Sequence, residues 1–188
     1  MTEHIEKIRA LISSFDQETL EALSKITVVE QFRKGEVLLH QGEICRKSRH
    51  IIHGVARKFF FSDKKEITTE FFFKDDLAVS FKSYIHQKPG KEIIECLTDV
   101  TVETVDYIAF ETVKKQFPQL MEYDILMTEL YTIWLEDRLF DFYALSAKER
   151  YESILKKSPE YFHHLKLTHI ASYLGISLET LSRIRAKI

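Results

Sequence analysis

The chain has 188 residues, of which 45% are hydrophobic and 30% charged, and a formal net charge of −2. Such a length can bury the core of one large or two small domains, and the composition is that of a folded globular protein. The composition excludes a membrane-spanning helix, for want of a run near 20 apolar residues, and a C-x-x-C zinc or iron–sulfur motif, because Cys45 and Cys96 stand far apart.

The N-terminal residues have early acidic side chains and no long apolar core, so no signal peptide is read there and a cytoplasmic protein with reduced thiols is expected. Ile5, Ile8, Leu11 and Ile12 form one amphipathic helical face. Ser13-Ser14 marks a break, and Asp16 opens a second helix with Leu20, Ala22 and Leu23 inside.

From Thr27 the pattern changes to short β-branched and aromatic segments. Strands are predicted at 28–32, 36–40, 49–52, 55–62, 67–73, 93–97 and 100–105, separated by Gly35, Gly42, Gly54 and the Asp63-Lys64-Lys65 tip. Seven short strands at this spacing point to a sandwich or barrel.

Helical periodicity returns at Phe110. After Pro118 the stretch 119–143 has neither glycine nor proline. Leu126, Leu130, Ile133 and Phe140 recur at a spacing of three or four, with Tyr123, Met127, Trp134 and Phe142 on neighbouring faces. A helix apolar on more than one side is no simple surface helix. Its second side is left for a twin helix or for burial within one subunit. A break follows at Ala144-Leu145-Ser146. Ser146-x-x-Glu149 then has the form of a capping box, with Arg150, Tyr151, Ile154 and Leu155 behind it and Pro159 closing the helix.

The last segment, 167–188, reads as two short helices around a turn. Thr168 is the expected N-cap of the first, and Ile170, Ala171 and Leu174 form its buried face. Gly175 supplies the left-handed turn. Ser177 caps the second helix, which buries Leu178, Leu181 and Ile184 and presents Glu179, Thr180, Ser182, Arg183, Arg185 and Lys187. This is helix-turn-helix logic, in which one helix props another whose polar face fits the DNA major groove. Charge agrees: from Ser146 onward there are eight Lys/Arg against four Asp/Glu, a local +4 on a body carrying −6.

The words IASYLGIS (170–177) and ETLSRIR (179–185) resemble the DNA-binding end of the bacterial Crp/Fnr regulators. LSAKERY (145–151) resembles the first helix of that domain, and KGEVLLHQGE (34–43) and IIHGVARKFF (51–60) resemble the family's cyclic-nucleotide-binding β-roll. The resemblance implies an α+β chain. A jelly-roll (double-stranded β-helix) sensor domain at 1–117 would be followed by a dimerisation helix and hinge at 118–145 and a helix-turn-helix DNA-binding domain at 146–188. It also implies that Leu126, Leu130, Ile133, Trp134 and Phe140 lie on the dimer helix.

The family's nucleotide pocket is flagged by a Gly-Glu pair and, some ten residues on, an Arg before Ser or Thr. The glutamate accepts a ribose hydroxyl, and arginine with a helix N-terminus neutralises the cyclic phosphate. Here Asp75-Asp76 stands where Gly-Glu is expected and Ile93-Ile94 near where Arg-Ser is expected. No arginine occurs between Arg57 and Arg138. Binding of cyclic AMP or cyclic GMP is therefore not expected, and no cofactor is assigned. If the family alignment holds, Asp76, Ser80, Phe81, Ser83 and Tyr84 line the corresponding pocket for some other effector; a plain solvated loop is the competing reading.

Metal chemistry finds no support. His50 and His53 diverge along a strand, His163-His164 are adjacent and diverge, and no H-x-H motif is present. No Ser-His-Asp set or phosphate loop is visible, so an enzyme is not expected. The reading is a dimeric, sequence-specific regulator with palindromic double-stranded DNA, its own second copy and RNA polymerase as partners, and no membrane. Arg183 is assigned to guanine O6/N7 and Glu179 to cytosine N4. Ser177, Thr180, Ser182, Arg185, Lys187 and Thr168 are placed at or near the DNA backbone. Leu178, where relatives carry arginine, would contact a thymine methyl or simply pack. The alternative is a ligand-sensing or protein-interaction module with a structural helix-turn-helix. Because the sequence given stops just past the second helix, any supporting wing would have to come from upstream.

Overall fold

A computed structural model describes residues 2–157 and 165–187. Helices α1 (Thr2–Ser13) and α2 (Gln17–Ile26) come first, then strands β1 (Thr27–Phe32), β2 (Val37–Leu39), β3 (Lys47–His53) and β4 (Ala56–Ser62). Strands β5 (Lys65–Phe72) and β6 (Leu77–Ala78) lead to the short helix α3 (Phe81–His86), followed by β7 (Ile93–Cys96) and β8 (Val100–Asp106). The rest is helical: α4 (Tyr107–Gln116), α5 (Gln119–Ala144), α6 (Ala147–Lys157), α7 (Leu167–Leu174) and α8 (Leu178–Arg185). Every strand predicted from the sequence is present within one or two residues at its ends. The sequence patterns did not predict β6 or α3, and Pro159, His163 and His164 lie outside the described residues.

The described residues form two compact units. One comprises 1–27 and 106–146, the other 28–105 and 147–188. In the first, Asp16 caps α2, its carboxylate accepting the Thr19 N–H at 2.7 Å, and Asp106 caps α4 through the Ile108 and Ala109 N–H groups. Phe15, Val113 and the fully buried Leu120 make its core. Helix α1 packs along α5, where His4 meets Glu129 at 2.9 Å and Lys114 of α4 meets Asp124 at 2.6 Å.

In the second unit two four-stranded sheets, ordered β1-β8-β3-β6 and β2-β7-β4-β5, enclose a core that includes Ile51, Ala56, Phe72, Ile94 and Val102. The alternation follows the strand period of two: in β8, Val100, Val102 and Thr104 are buried while Glu103 is exposed. Burying each large aliphatic side chain contributes about 1.5–3 kcal/mol. Gly54 holds the β3–β4 turn at φ 94°, and a Cβ there would sit 2.2 Å from the Asp99 carbonyl oxygen. Only glycine fits.

Adjacent β4 residues point to opposite faces. Lys58 faces the roll interior, bonded to the Val79 carbonyl at 3.2 Å and paired with Glu70 at 2.5 Å. Arg57 lies on the outer face, where its guanidinium reaches Glu66 and Glu95, each at 2.6 Å, and Thr68 at 3.2 Å. Helix α7 packs on that sheet at β5, with α6 and α8 packed against α7. Val55, Phe71, Phe73 and Leu97 of the roll share one core with Tyr151, Ile170, Ala171, Leu174 and Leu181.

Candidate nucleic-acid interface

The two C-terminal helices are built from local chemistry. Helix α7 buries His169, Ile170, Ala171 and Leu174. Its N-cap is Lys166, with no side-chain cap bond, so the expectation that Thr168 caps it is corrected. Thr168 is an exposed residue inside the first turn. The extended backbone at Lys166 starts the helix two residues earlier than the Thr signal suggested. Gly175 ends α7 at φ 68°, with its N–H and that of Ile176 returning to the Ser172 and Ala171 carbonyls. Arg150 of α6 donates to the Leu174 carbonyl at 3.2 Å, satisfying another group at this helix end.

Ser177 caps α8 as predicted, accepting the Thr180 N–H at 3.1 Å. Leu181 is completely buried and Ile184 half-buried, which fixes the inward face. Leu178, expected inside with them, is instead 45% exposed. The correction is geometric: steps of three residues drift about 60° each around an α-helix, so Leu178 is turned about 120° from Ile184 and off the buried row. Outward stand Glu179 and Arg183, one turn apart and hydrogen-bonded to each other, with side chains 73% and 70% exposed. Ser177, Ser182, Arg185 and Lys187 are exposed as well, and Thr180 is half-buried with its hydroxyl against that of Ser177. The ridge thus has two neighbouring rows at i, i+4 spacing, Glu179–Arg183 and Leu178–Ser182.

Helix α7 is seated on strand β5, the edge of its sheet. The Ser172 hydroxyl accepts the Thr68 N–H at 2.9 Å and donates to the Glu66 carbonyl at 2.8 Å. The Tyr173 ring lies 5.1 Å from that of Phe71 between centroids, tilted by 44°. Beside them His169 is buried, and its Nδ1 has no hydrogen-bond partner among the described residues. Burial first, and then the nearby Arg57 and Lys166 cations, push its imidazole down to about 4. The sequence held no signal for Ser172, since a serine between apolar helix positions looks like a solvent-facing residue.

The roll's effector residues are brought together only in part. Asp75-Asp76 lies ahead of β6 and apart from α3. Asp75 takes φ 72° and Asp76 accepts the Phe73 N–H at 2.7 Å, so the pair forms the turn before β6. Ser80 precedes α3 and is buried, and its hydroxyl is bonded to the Glu92 carboxylate. Ser83 donates to the Lys88 carbonyl at 2.6 Å and accepts the Cys45 N–H at 2.9 Å. Phe81 and Tyr84 pack against the roll core. Gly90 closes the loop, with N–H and carbonyl bonded to Glu43 and Gly42; a Cβ there would lie 3.2 Å from Ser83 Cβ. Ile94 is in the core and Ile93 on β7 beside it.

Both cysteines are free and buried. Burial raises the Cys45 thiol and pushes Cys96 up to about 12. No group of three or more His, Cys, Asp or Glu capable of holding a metal occurs among the described residues, and none of their helices is long and apolar enough to cross a membrane.

No protein-family model matches the chain, and no curated protein matches it. Solved structures do match. FixK2 from Bradyrhizobium japonicum superimposes with a TM-score of 0.74 at 19% identity, covering 86% of this chain and 84% of that one. A Crp/Fnr-family regulator from Eubacterium rectale gives 0.74 at 17%, over 93% and 83% of the two chains. This is the Crp/Fnr fold. The c-di-GMP responsive regulator CLP from Xanthomonas campestris extends the likeness, at 0.70 and 13% identity over 92% and 91%. Within the Crp/Fnr fold described above, Glu179 and Arg183 occupy the exposed ridge of the second helix of the helix-turn-helix, and the Lys88–Glu92 loop lies against α3 in the roll.

Proposed function

We propose that the chain is a sequence-specific DNA-binding transcription regulator of the Crp/Fnr type, acting as a homodimer, whose roll does not take a cyclic nucleotide. The observation that carries it is the α8 ridge: a capped helix anchored by the fully buried Leu181, with Glu179 and Arg183 both outward and paired across one turn. Arg183 supplies the fork for guanine, Glu179 the acceptor for cytosine N4, and their mutual bond holds the guanidinium in place before DNA arrives. Ser177, Thr180, Arg185 and Lys187 supply donors for flanking phosphates.

The dimer reading is supported by α5. Met121, Ile125, Thr128, Thr132, Leu135, Leu139 and Phe142 recur at alternating steps of four and three, and all are exposed. The Thr128 and Thr132 hydroxyls return to the carbonyls four residues back. This is a heptad seam for a second copy. Leu126, Leu130, Ile133 and Trp134, assigned to the dimer helix from the sequence, are half-buried, whereas Phe140 is 58% exposed beside the seam. Two copies of α8 set about 34 Å apart would read a palindrome.

Absence of cyclic-nucleotide binding is supported by the hydroxyls of Ser80 and Ser83 being engaged by the chain's own Glu92 and Lys88, and by the lack of an arginine there. A gel shift on genomic fragments tests DNA binding: a selective shift that weakens steeply with salt is expected, and salt-insensitive or absent binding refutes it. Calorimetric titration with cyclic AMP is expected to give no heat of binding, and micromolar affinity overturns the second part.

A further inference from the structure

We infer that the tip of the β4–β5 hairpin is a second DNA-backbone contact, in which Lys64 and Lys65 take phosphates beside the start of α7; this rests on the DNA-binding reading above. The tip is a tight two-residue connection. Asp63 and Lys64 take φ 48° and 63°, the pair of left-handed residues that matches the twist of a hairpin, and Ser62 pairs with Lys65 across it. Both lysines are exposed. Neither has a carboxylate partner among the described residues. Glu66, the acid that follows them, is taken up by Arg57 at 2.6 Å. Asp63 offsets one of the two charges, so the exposed tip stays cationic.

The seat of α7 brings this tip to the duplex. Ser172 bonds to Glu66 and Thr68, and Tyr173, one residue on, meets Phe71 further along β5. Helix α7 therefore runs away from the tip, and its first turn, next to the exposed Lys166 and Thr168, lies at the tip end. Ser172 to Thr168 is about 6 Å of helix, and Glu66 to Lys65 is one strand step of about 3.3 Å. The tip and the helix start thus share one stretch of surface about 10 Å long. In helix-turn-helix docking the first helix crosses the sugar–phosphate backbone, and a helix start is the end that favours a phosphate. Lysine suits a contact there. A point charge on a flexible stem meets any phosphate and reads no base.

The test measures the full chain on a site selected from random DNA and on an unrelated duplex, across a salt series. Lys64→Gln with Lys65→Gln is expected to weaken binding to both duplexes alike, by about tenfold at 0.1 M salt. The slope of log affinity against log salt is expected to flatten by about 1.8, or 0.9 for each phosphate given up. Lys74→Gln with Lys82→Gln removes the same charge from exposed positions elsewhere on the roll, and is expected to leave the slope unchanged. Lys64→Arg with Lys65→Arg, which keeps both charges, is expected to retain the wild-type slope and guards against a tip that is merely structural. A tip variant with the wild-type slope, or one no different from the Lys74/Lys82 variant, overturns the assignment while leaving DNA binding intact. So does a loss confined to the selected site. Wild-type protein that binds neither duplex overturns the DNA-binding reading and this assignment together.

Discussion

Two short helices in this molecule begin at a serine, and their circumstances are opposite. Ser80 at the head of α3 is buried, caps no N–H with its side chain, and gives its hydroxyl to Glu92. Ser177 at the head of α8 is exposed, caps the Thr180 N–H, and stands beside a ridge of outward Glu179 and Arg183. The first helix is closed by its own chain and the second is open to solvent. The outward Glu179 and Arg183 of α8 bond to each other, and this open end is where the proposed recognition of DNA would concentrate, with the roll as its platform.

The sharpest way to break this contrast is to unseat α8. Leu181→Ala removes a fully buried side chain and is expected to cost about 2–5 kcal/mol, abolishing DNA binding while the roll keeps its β-type circular dichroism. Acid attacks the same region. His169 is held neutral in the folded state, with its pKa at about 4, against about 6.5 unfolded. The unfolded chain then binds more protons between these values. Stability is full above pH 6.5 and falls as the pH drops toward 4, by up to about 3 kcal/mol. Urea unfolding across this range checks it, and His169→Gln is expected to flatten the profile.

Arg183→Ala is expected to cost about 1–3 kcal/mol in specific DNA binding and relax selectivity at one base pair, with stability unchanged. Equal loss on all sequences in a binding assay contradicts base reading. On the closed side, Glu92→Gln weakens a charge-assisted bond to Ser80 and is expected to lower roll stability by about 1 kcal/mol in urea titration, without creating affinity for cyclic AMP.

The difference between the helices also decides what was legible in the sequence. The α8 cap, the Gly175 turn and the buried Leu181 follow from spacings of a few residues, and those were readable. The α3 region was not: a six-residue helix beside a two-residue strand carries too little periodicity, and the Glu92 contact joins residues twelve apart through a loop. The turn at Asp75-Asp76 was equally hidden, because an acidic pair says nothing of φ, and Asp75 takes φ 72°. On α5 the apolar residues run around the helix, so periodicity showed two sticky sides but not which was covered. Packing against α1 is a tertiary fact. Thr168 had the chemistry of a cap at a position already inside the helix.

The contact of Ser172 with β5 has one more consequence. A sheet's outermost strand offers a free row of amides and carbonyls to any extended chain that meets it, the first step toward strand exchange and fibril growth. Here a helix with a single hydroxyl takes the Thr68 amide and the Glu66 carbonyl out of circulation. Trimming the protein back to the roll would uncover that border together with Phe71 and Phe73, and the fragment would self-associate through it. The helix that props the proposed DNA-reading helix thus also keeps the sheet solitary.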